Sequence, residues 1–524
     1  MDRKSKQLLF MVITISVLFL ASGYCMAGSN STYLKNGQLV STPDFSWSDD
    51  FKVIDYASPG YNRLTDYANG YTLNIPAGMF VDASLSAVRT MVYDQQTQIE
   101  IYRDDFNNTV HNSAGYINYS NLFIKNSNSH YLQEKKTINA NGLKINLLKW
   151  YRNKLYALPG DKNFYLSAEI TKNSKEVYTV LIKSSQPVDQ YLPVIKSFNV
   201  IQMKGTPRIN IKFQKKTSGL NTETAAFYQQ YFGDKSPLKW GIFEPTAPEK
   251  MDYLAELEKQ TDHKFDFLVL YKTFDAEFPS QELLNAYNEN KFVELTLQTM
   301  WIGGDNSNIT YDILSGKYDY FFNNFARKAK DFQHPILFRL NNEMNGDWCV
   351  YSSFHSSKDT DLYKAVWRHV YDIFIQNKVD NVLWVWNPND VSFPGFQWNH
   401  SLNYFPGERY VDIVGLTGYN TGTFYPGEKW REFTSIYDPL YWQFSSWFNY
   451  PFMITEFGCN SVGGDKLRWI GDMFANIRRY PGIKAAIWFN GTDCNAAGMP
   501  ARIYRLDENG AVLNAFRQGF ENFK

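Results

Sequence analysis

Cysteine is scarce: Cys25, Cys349, Cys459 and Cys494 are the only four in 524 residues, so a disulfide framework is excluded as the basis of the fold. The seven histidines show no paired spacing with one another or with cysteine of the kind that holds zinc, and neither a metal nor a cofactor is expected. Neither sign of charge prevails, since 53 Lys and Arg balance 53 Asp and Glu without a long run of either. That balance argues against nucleic acid and against an anionic membrane surface as partners. Long apolar runs are missing as well, with one exception at the amino terminus. There Arg3, Lys4 and Lys6 precede an uncharged stretch from Leu8 to Ala21, followed by small residues up to Cys25-Met-Ala27. At 14 residues the stretch is short for a membrane span, and residues 1–27 read as a secretory signal, with an exported protein that has no membrane span. Lipid attachment at Cys25 is the alternative, although the bulky Tyr24 before it fits that poorly.

Aromatic residues, by contrast, are plentiful at 17%, and they are unevenly spread. Of 14 Trp, only Trp47 and Trp150 precede residue 240; the other 12 lie between Trp240 and Trp488. Flat indoles suit the apolar C–H faces of sugar rings, while carboxylates, amides and Arg suit the hydroxyls. For any single Trp, packing in the core is the competing reading.

The chain divides by pattern. From residue 28 to 203 it is rich in Asn, Ser, Tyr and Thr, with alternations such as Thr97-Gln-Ile-Glu-Ile-Tyr102 and Val177-Tyr-Thr-Val-Leu-Ile182. This predicts a smaller α+β domain with an antiparallel sheet and one or two helices, one of them near Val188–Ser197. Its expected role is polysaccharide or surface attachment, or support. A polar linker is predicted over 204–235, carrying Gly205, Pro207 and Gly219. From 236 to 524 apolar runs alternate with helical spacing. The runs are Leu238–Phe243, Phe265–Tyr271, Val293–Thr299, Ile336–Asn341, Val382–Asn387, Ile413–Leu416, Phe452–Thr455 and Ala485–Phe489. Eight such runs separated by helices predict a (β/α)₈ TIM barrel, an α/β fold whose chemistry sits at the C-terminal ends of its strands.

Two glutamates stand at such ends. Glu343 lies in Phe338-Arg-Leu-Asn-Asn-Glu-Met-Asn-Gly-Asp-Trp348, after the fourth run, and Glu456 in Pro451-Phe-Met-Ile-Thr-Glu-Phe-Gly458, on the seventh. An acid fixed to a strand end can be held rigidly while its carboxyl group reaches a cleft, and two of them point to glycosidic bond cleavage. Cys349 and Cys459 each follow one of these glutamates, so a bridge beside the cleft is conceivable in an oxidising compartment.

Asn341-Asn-Glu-Met-Asn-Gly-Asp-Trp348 resembles glycoside hydrolase family 26, the β-mannanases and related β-glycanases. Val382-Leu-Trp-Val-Trp-Asn-Pro-Asn389, Gly415-Leu-Thr-Gly-Tyr-Asn420 and Ile454-Thr-Glu-Phe-Gly458 follow in that family's order, and the likeness runs over roughly 240–493. The resemblance implies a retaining endo-acting hydrolase of a β-linked polysaccharide, foremost β-1,4-mannan, with Glu343 as acid/base and Glu456 as nucleophile, the carboxyls about 5–5.5 Å apart. Mixed-linkage glucan, xylan, an exopolysaccharide, or a non-catalytic sugar-binding protein on the same scaffold are the alternatives. Tyr419 resembles the tyrosine that hydrogen-bonds the nucleophile, and Trp348 and Trp488 resemble walls of the sugar subsites. Trp301 and Trp386 flank the motifs and join the expected substrate-binding set. Arg339 either holds a carboxylate ionised or forms an ion pair inside the barrel. Asn342 stands where the family usually has His; an amide still binds a sugar hydroxyl but does not titrate near neutrality. Thr417 and Cys349 also depart from the family's residues, which leaves substrate identity open.

Overall fold

The computed structural model describes residues 31–216 and 219–523. The expected signal, with Cys25, lies outside the described residues.

The first domain is two antiparallel sheets laid face to face. One has six strands, with Tyr71–Pro76, Tyr61–Asp66 and Phe51–Ser58 at its centre; the other has seven, centred on Thr97–Asp105, Glu176–Ser184 and Phe164–Asn173. The period-two alternation of each strand decides what lies between them. Leu64, Leu73 and Ile75 of the first sheet meet Ile99, Ile101, Ala168, Val180 and Ile182 of the second in one buried cluster. The helix predicted near Val188–Ser197 is present as a 3₁₀ turn, Asp189–Tyr191, running into Leu192–Lys196, and its Val194 and Ile195 close that cluster. The intervening residues of the seven-stranded sheet face the other way. Glu100, Tyr102, Tyr165, Glu169 and Lys183 are nevertheless buried, because that second face lies against the barrel.

Eight parallel strands close the barrel in sequence order: β1 Lys239–Phe243, β2 Phe267–Lys272, β3 Phe292–Leu297, β4 Ile336–Leu340, β5 Val382–Trp386, β6 Ile413–Thr417, β7 Phe452–Phe457 and β8 Ile483–Phe489. All eight predicted runs are strands. Phe267, Val269, Leu337, Leu383, Val385, Ile413, Met453 and Ile487 fill the interior, and their alternating neighbours, such as Phe338, Trp384, Trp386 and Trp488, pack outward under the helices. Between the strands run the expected helices, among them Asp252–Thr261, Asp319–Phe332, Thr360–Gln376 and Phe433–Trp447. Pro439 sits inside the last of these.

The stretch read as a linker is more than a connection. Phe213–Gln214 pairs in parallel with Phe448–Asn449, and Thr222–Phe232 is a helix whose Asn221 side chain accepts a hydrogen bond from the Thr224 N–H at 2.8 Å. Its Phe227 and Phe232 pack on Phe267 and join the inner barrel cluster, so this helix plugs the end remote from the glutamates. Each buried phenyl is worth about 1.5–3 kcal/mol. Among the described residues no helix is long and apolar enough to cross a membrane, and no group of three or more His, Cys, Asp or Glu is placed to hold a metal ion.

Candidate active site

Glu343 leaves β4 through a strained turn. Asn341 and Glu343 both have positive φ, 59° and 50°, a conformation that non-glycine residues hold only where their surroundings insist on it. Those surroundings are present. The Asn341 amide oxygen accepts hydrogen bonds from the Thr299 N–H and hydroxyl at 2.8 and 3.0 Å, and the Glu343 N–H donates to the Asn387 carbonyl at 2.8 Å.

Glu456 reaches the same cavity by a different device. Alternation from the inward Met453 would turn Glu456 outward, but β7 carries one extra residue opposite β6: Leu416 pairs with Ile454 and Thr417 with Glu456. The bulge re-aims the carboxyl into the mouth of the barrel. There Arg339 Nη1 donates to its Oε1 at 2.9 Å, while Tyr271 and Tyr419 donate to its Oε2 at 2.5 and 3.0 Å. Arg339, fully buried, also donates to Thr296 Oγ1 and to the Asn387 amide oxygen, and its Nε lies 2.7 Å from the Glu294 carboxyl. The guanidinium therefore serves both places the sequence left open: it holds Glu456 at the cleft and it lies against a second acid inside the barrel.

The surroundings of the two acids differ. Burial, with the Glu456 charge second, pushes the Glu343 carboxyl up to about 8, only partly offset by Arg339. Glu343 is thus protonated at neutral pH. Glu456 accepts three hydrogen bonds, one from a guanidinium and two from phenols, and these fix its carboxyl group toward the cavity. Both line one cavity of about 1130 Å³.

Trp348 lies on that cavity wall, about half exposed, its ring 5.4 Å from Phe393, which is also exposed. Three expected sugar-binding tryptophans lie elsewhere. Trp386 is fully buried against Phe405 and Phe448. Trp488 is buried against Phe457 and Phe516, with its indole N–H donating to the Tyr504 carbonyl. Both follow from the pleat: in β5 and β8 alternate residues point out of the barrel, and it is Phe489, one place on, that reaches the wall. Trp301 is partly exposed but off the wall, donating to the Tyr318 hydroxyl at 2.9 Å. Asn342, expected to meet sugar, is buried. Its amide oxygen accepts from Gln298 at 3.0 Å and from Tyr351 at 3.1 Å, which turns its NH₂ toward Glu343 Oε2 at 3.3 Å. It orients the acid. The three described cysteines are free: Cys349 and Cys459 are buried, and Cys494 is exposed, so the conceivable bridge is not formed.

Tyr271, Asn387 and Phe489 were not singled out from the sequence. Each occupies an inward register position at or just past the end of its strand, so a period-two count from a known inward residue would have found them. The Asp390–Arg431 ion pair on the wall joins loops 41 residues apart, and no local pattern marks it.

Residues 298–457 match the model of glycosyl hydrolase family 26. Endoglucanase H of Acetivibrio thermocellus is 36% identical over 272 residues, covering 50% of this chain and 29% of its own length. A mannan endo-1,4-beta-mannosidase of Bacillus subtilis is 28% identical over 135 residues, 25% of this chain and 32% of its own. The chain thus spans about a third or less of these curated relatives. Among solved structures, the catalytic domain of an endo-β-1,4-mannanase from a Bacillus species covers 59% of this chain and 92% of its own, at 18% identity and a TM-score of 0.46.

Proposed function

We propose that this protein is a retaining, endo-acting β-glycanase. One observation carries the reading: Glu343 and Glu456, the latter held by Arg339, Tyr271 and Tyr419, face the same cavity. Glu456 attacks the anomeric carbon while Glu343 gives its proton to the departing glycosidic oxygen. Water then adds to the glycosyl ester with Glu343, now ionised, as base, and Glu456 is released. The tyrosine hydroxyls must yield as Glu456 loses its charge on bonding, which keeps their strongest contacts for the ionised state.

The substrate we propose first is β-1,4-mannan, after the mannosidase relatives. The relative whose name is endoglucanase matches over 272 residues, against 135 for the mannosidase from Bacillus subtilis, and this favours a β-glucan as the second reading. A neutral polymer suits the wall better than a polyuronate. Asp347, Asp390, Glu428 and Asp493 join Glu456 there, against Lys429, Arg431 and Arg502, and a chain of carboxylates would meet net repulsion. Export of the protein, on the strength of its amino-terminal pattern, belongs to the same reading.

The test is a panel of mannan, mixed-linkage glucan, cellulosic glucan and xylan, with sizing of products and proton NMR of the first-formed reducing end. Short oligosaccharides released from the chain interior with a β-anomer at the new end are expected. An initial α-anomer would refute the double displacement, and no release from any polymer would refute the hydrolase.

A further inference from the structure

The loop from Asn341 to Asp359 carries the acid, and four of its non-glycine residues have positive φ: Asn341 and Glu343 at the start, Ser357 and Lys358 at the end, the latter two at 61° and 56°. The barrel holds the first pair. The second pair is held by the other domain. The Trp150 indole N–H donates to Ser357 Oγ at 3.2 Å. Lys358 Nζ, itself buried, reaches Asn121, Ser167 and Glu169 at 2.9–3.1 Å. Asp359, which caps the following helix, accepts from the Tyr165 hydroxyl at 2.9 Å and pairs with Lys183 at 2.8 Å.

The middle of the loop is gripped too, and at the cavity. Tyr119, on the first domain's helix Ser113–Ser120, donates its hydroxyl to the carboxylate of Asp347, on the cavity wall next to Trp348. Its ring packs on Phe354 of the same loop at 5.1 Å and edge-on to Phe396 of the β5 loop at 6.4 Å. Phe396 and Trp398 of that β5 loop are themselves buried among Phe106, Tyr116 and Trp150, and the loop's Phe393 faces Trp348 across the wall. These contacts run from the first domain to the walls that follow β4 and β5, and Asn126 and His130 add others to Ser307 and Tyr311 after β3. A domain joined to the barrel only to deliver it to a surface has no need to touch these loops.

We propose that the first domain buttresses the walls of the substrate cleft rather than serving as an attachment module, and that Tyr119 is a positioning residue that holds Asp347 and Trp348 on the wall where polysaccharide lies. The proposal rests on the glycanase reading for its substrate, and on the contacts alone for its mechanics. A loop with four left-handed residues relaxes when one end is released; the clamp keeps Trp348 and Asp347 at a fixed offset from Glu343, and positioning within about 0.5 Å is what a polymer subsite requires.

The experiment uses the full chain with Tyr119→Phe, which keeps the ring packing and removes only the donor, and Asp347→Asn, singly and together. KM for the polysaccharide should rise about tenfold in each single variant, the scale of a lost hydrogen bond to a charged group, with kcat within a factor of two. The double variant should be no worse than the poorer single one. Amide hydrogen exchange across 344–359 should be faster in Tyr119→Phe than in the wild type. Wild-type exchange in that segment, an unchanged KM, or losses that multiply in the double variant would each overturn the proposal. If the wild type hydrolyses no β-glycan, it is the functional reading that fails, and the exchange measurement alone decides whether Tyr119 holds the loop.

Discussion

The domain contact and the barrel mouth are built from the same ingredients, buried acids gathered around a cation, and they come out with opposite protonation. At the contact, Lys183 lies 3.2 Å from Glu100, 2.8 Å from Asp359 and 2.5 Å from Asp361, while Arg89 pairs with Glu100 and Lys364 with Asp361 at 2.5 Å each. Three cations meet three acids. Burial pushes against ionisation there, yet Lys183 and Arg89 hold Glu100 below its ordinary value, and Lys183 and Lys364 do the same for Asp361. Asp359 alone is pushed up, by burial. In the barrel mouth one cation, Arg339, serves Glu294, Glu343 and Glu456, and burial leaves both Glu294 and Glu343 at about 8. A balanced cluster makes a scaffold, whereas a shortage of positive charge leaves protons on carboxyls, where acid catalysis can use them.

The largest test of this contrast removes the mouth glutamate that Arg339 holds by a direct hydrogen bond. Glu456→Ala should lower polysaccharide turnover by about 10⁴-fold or more, because the covalent intermediate forms on the Glu456 carboxyl. Equilibrium binding of a β-oligosaccharide should persist within a few fold. Steady-state rates paired with calorimetry check both, and a variant retaining a tenth of the wild-type rate would assign the nucleophile elsewhere.

At the contact the expected loss is in stability. Lys183→Met leaves Glu100 and Asp359 buried with too little positive charge, a change that typically costs about 3–5 kcal/mol. Denaturant unfolding at pH 7 should register it. The deficit should shrink as pH falls, since acids freed of Lys183 take up protons more easily and their repulsion disappears. A loss below about 1 kcal/mol would mean that the cluster behaves as a solvated surface pair, and the distinction between the two regions would collapse.

How much of this was legible beforehand depends on the range of the pattern. All eight barrel strands and both catalytic-face glutamates were readable because hydrophobic runs and their breaks are local. The same alternation, carried one step further, would have sent Trp386 and Trp488 outward and put Phe489 at the wall. Attention to residue type alone placed Trp301, Trp386 and Trp488 beside Trp348 at the sugar. The polar positions Glu100, Glu169 and Lys183 look like a solvated sheet face in the sequence. Only the fold reveals that Lys358, Asp359 and Asp361, the partners of Glu169 and Lys183, lie 176 to 189 residues away, where the β4 loop runs into its helix. The bulge that turns Glu456 inward has no sequence mark either, since it is a property of the pairing of two strands.

In catalysis the shortage of charge should appear as an alkaline limb. Glu343 must carry a proton to act as acid, so kcat/KM should fall about tenfold per pH unit above a value near 8. Glu343→Ala should erase that limb. It should slow polysaccharide far more than an activated aryl glycoside, whose leaving group needs little protonation. A limb that survives in Glu343→Ala would belong to another group.

The smallest effect isolates Glu294, which lies behind Arg339 and touches no cavity wall. Its carboxyl is raised from an ordinary 4.5 to about 8, by burial first, against the pull of Arg339. The folded state therefore prefers the protonated form. That preference contributes its full stability below about pH 4.5 and is lost as pH rises through about 8, because the unfolded chain ionises freely over the interval. Glu294→Gln keeps the shape and cannot ionise. Its unfolding midpoint should match the wild type near pH 4.5 and overtake it progressively toward pH 9, with activity at pH 6 within a few fold. Parallel profiles for the two proteins would mean that Glu294 ionises as readily in the barrel as in water; Arg339 would then suffice for its neighbours, and the mouth would be as well balanced as the contact between the domains.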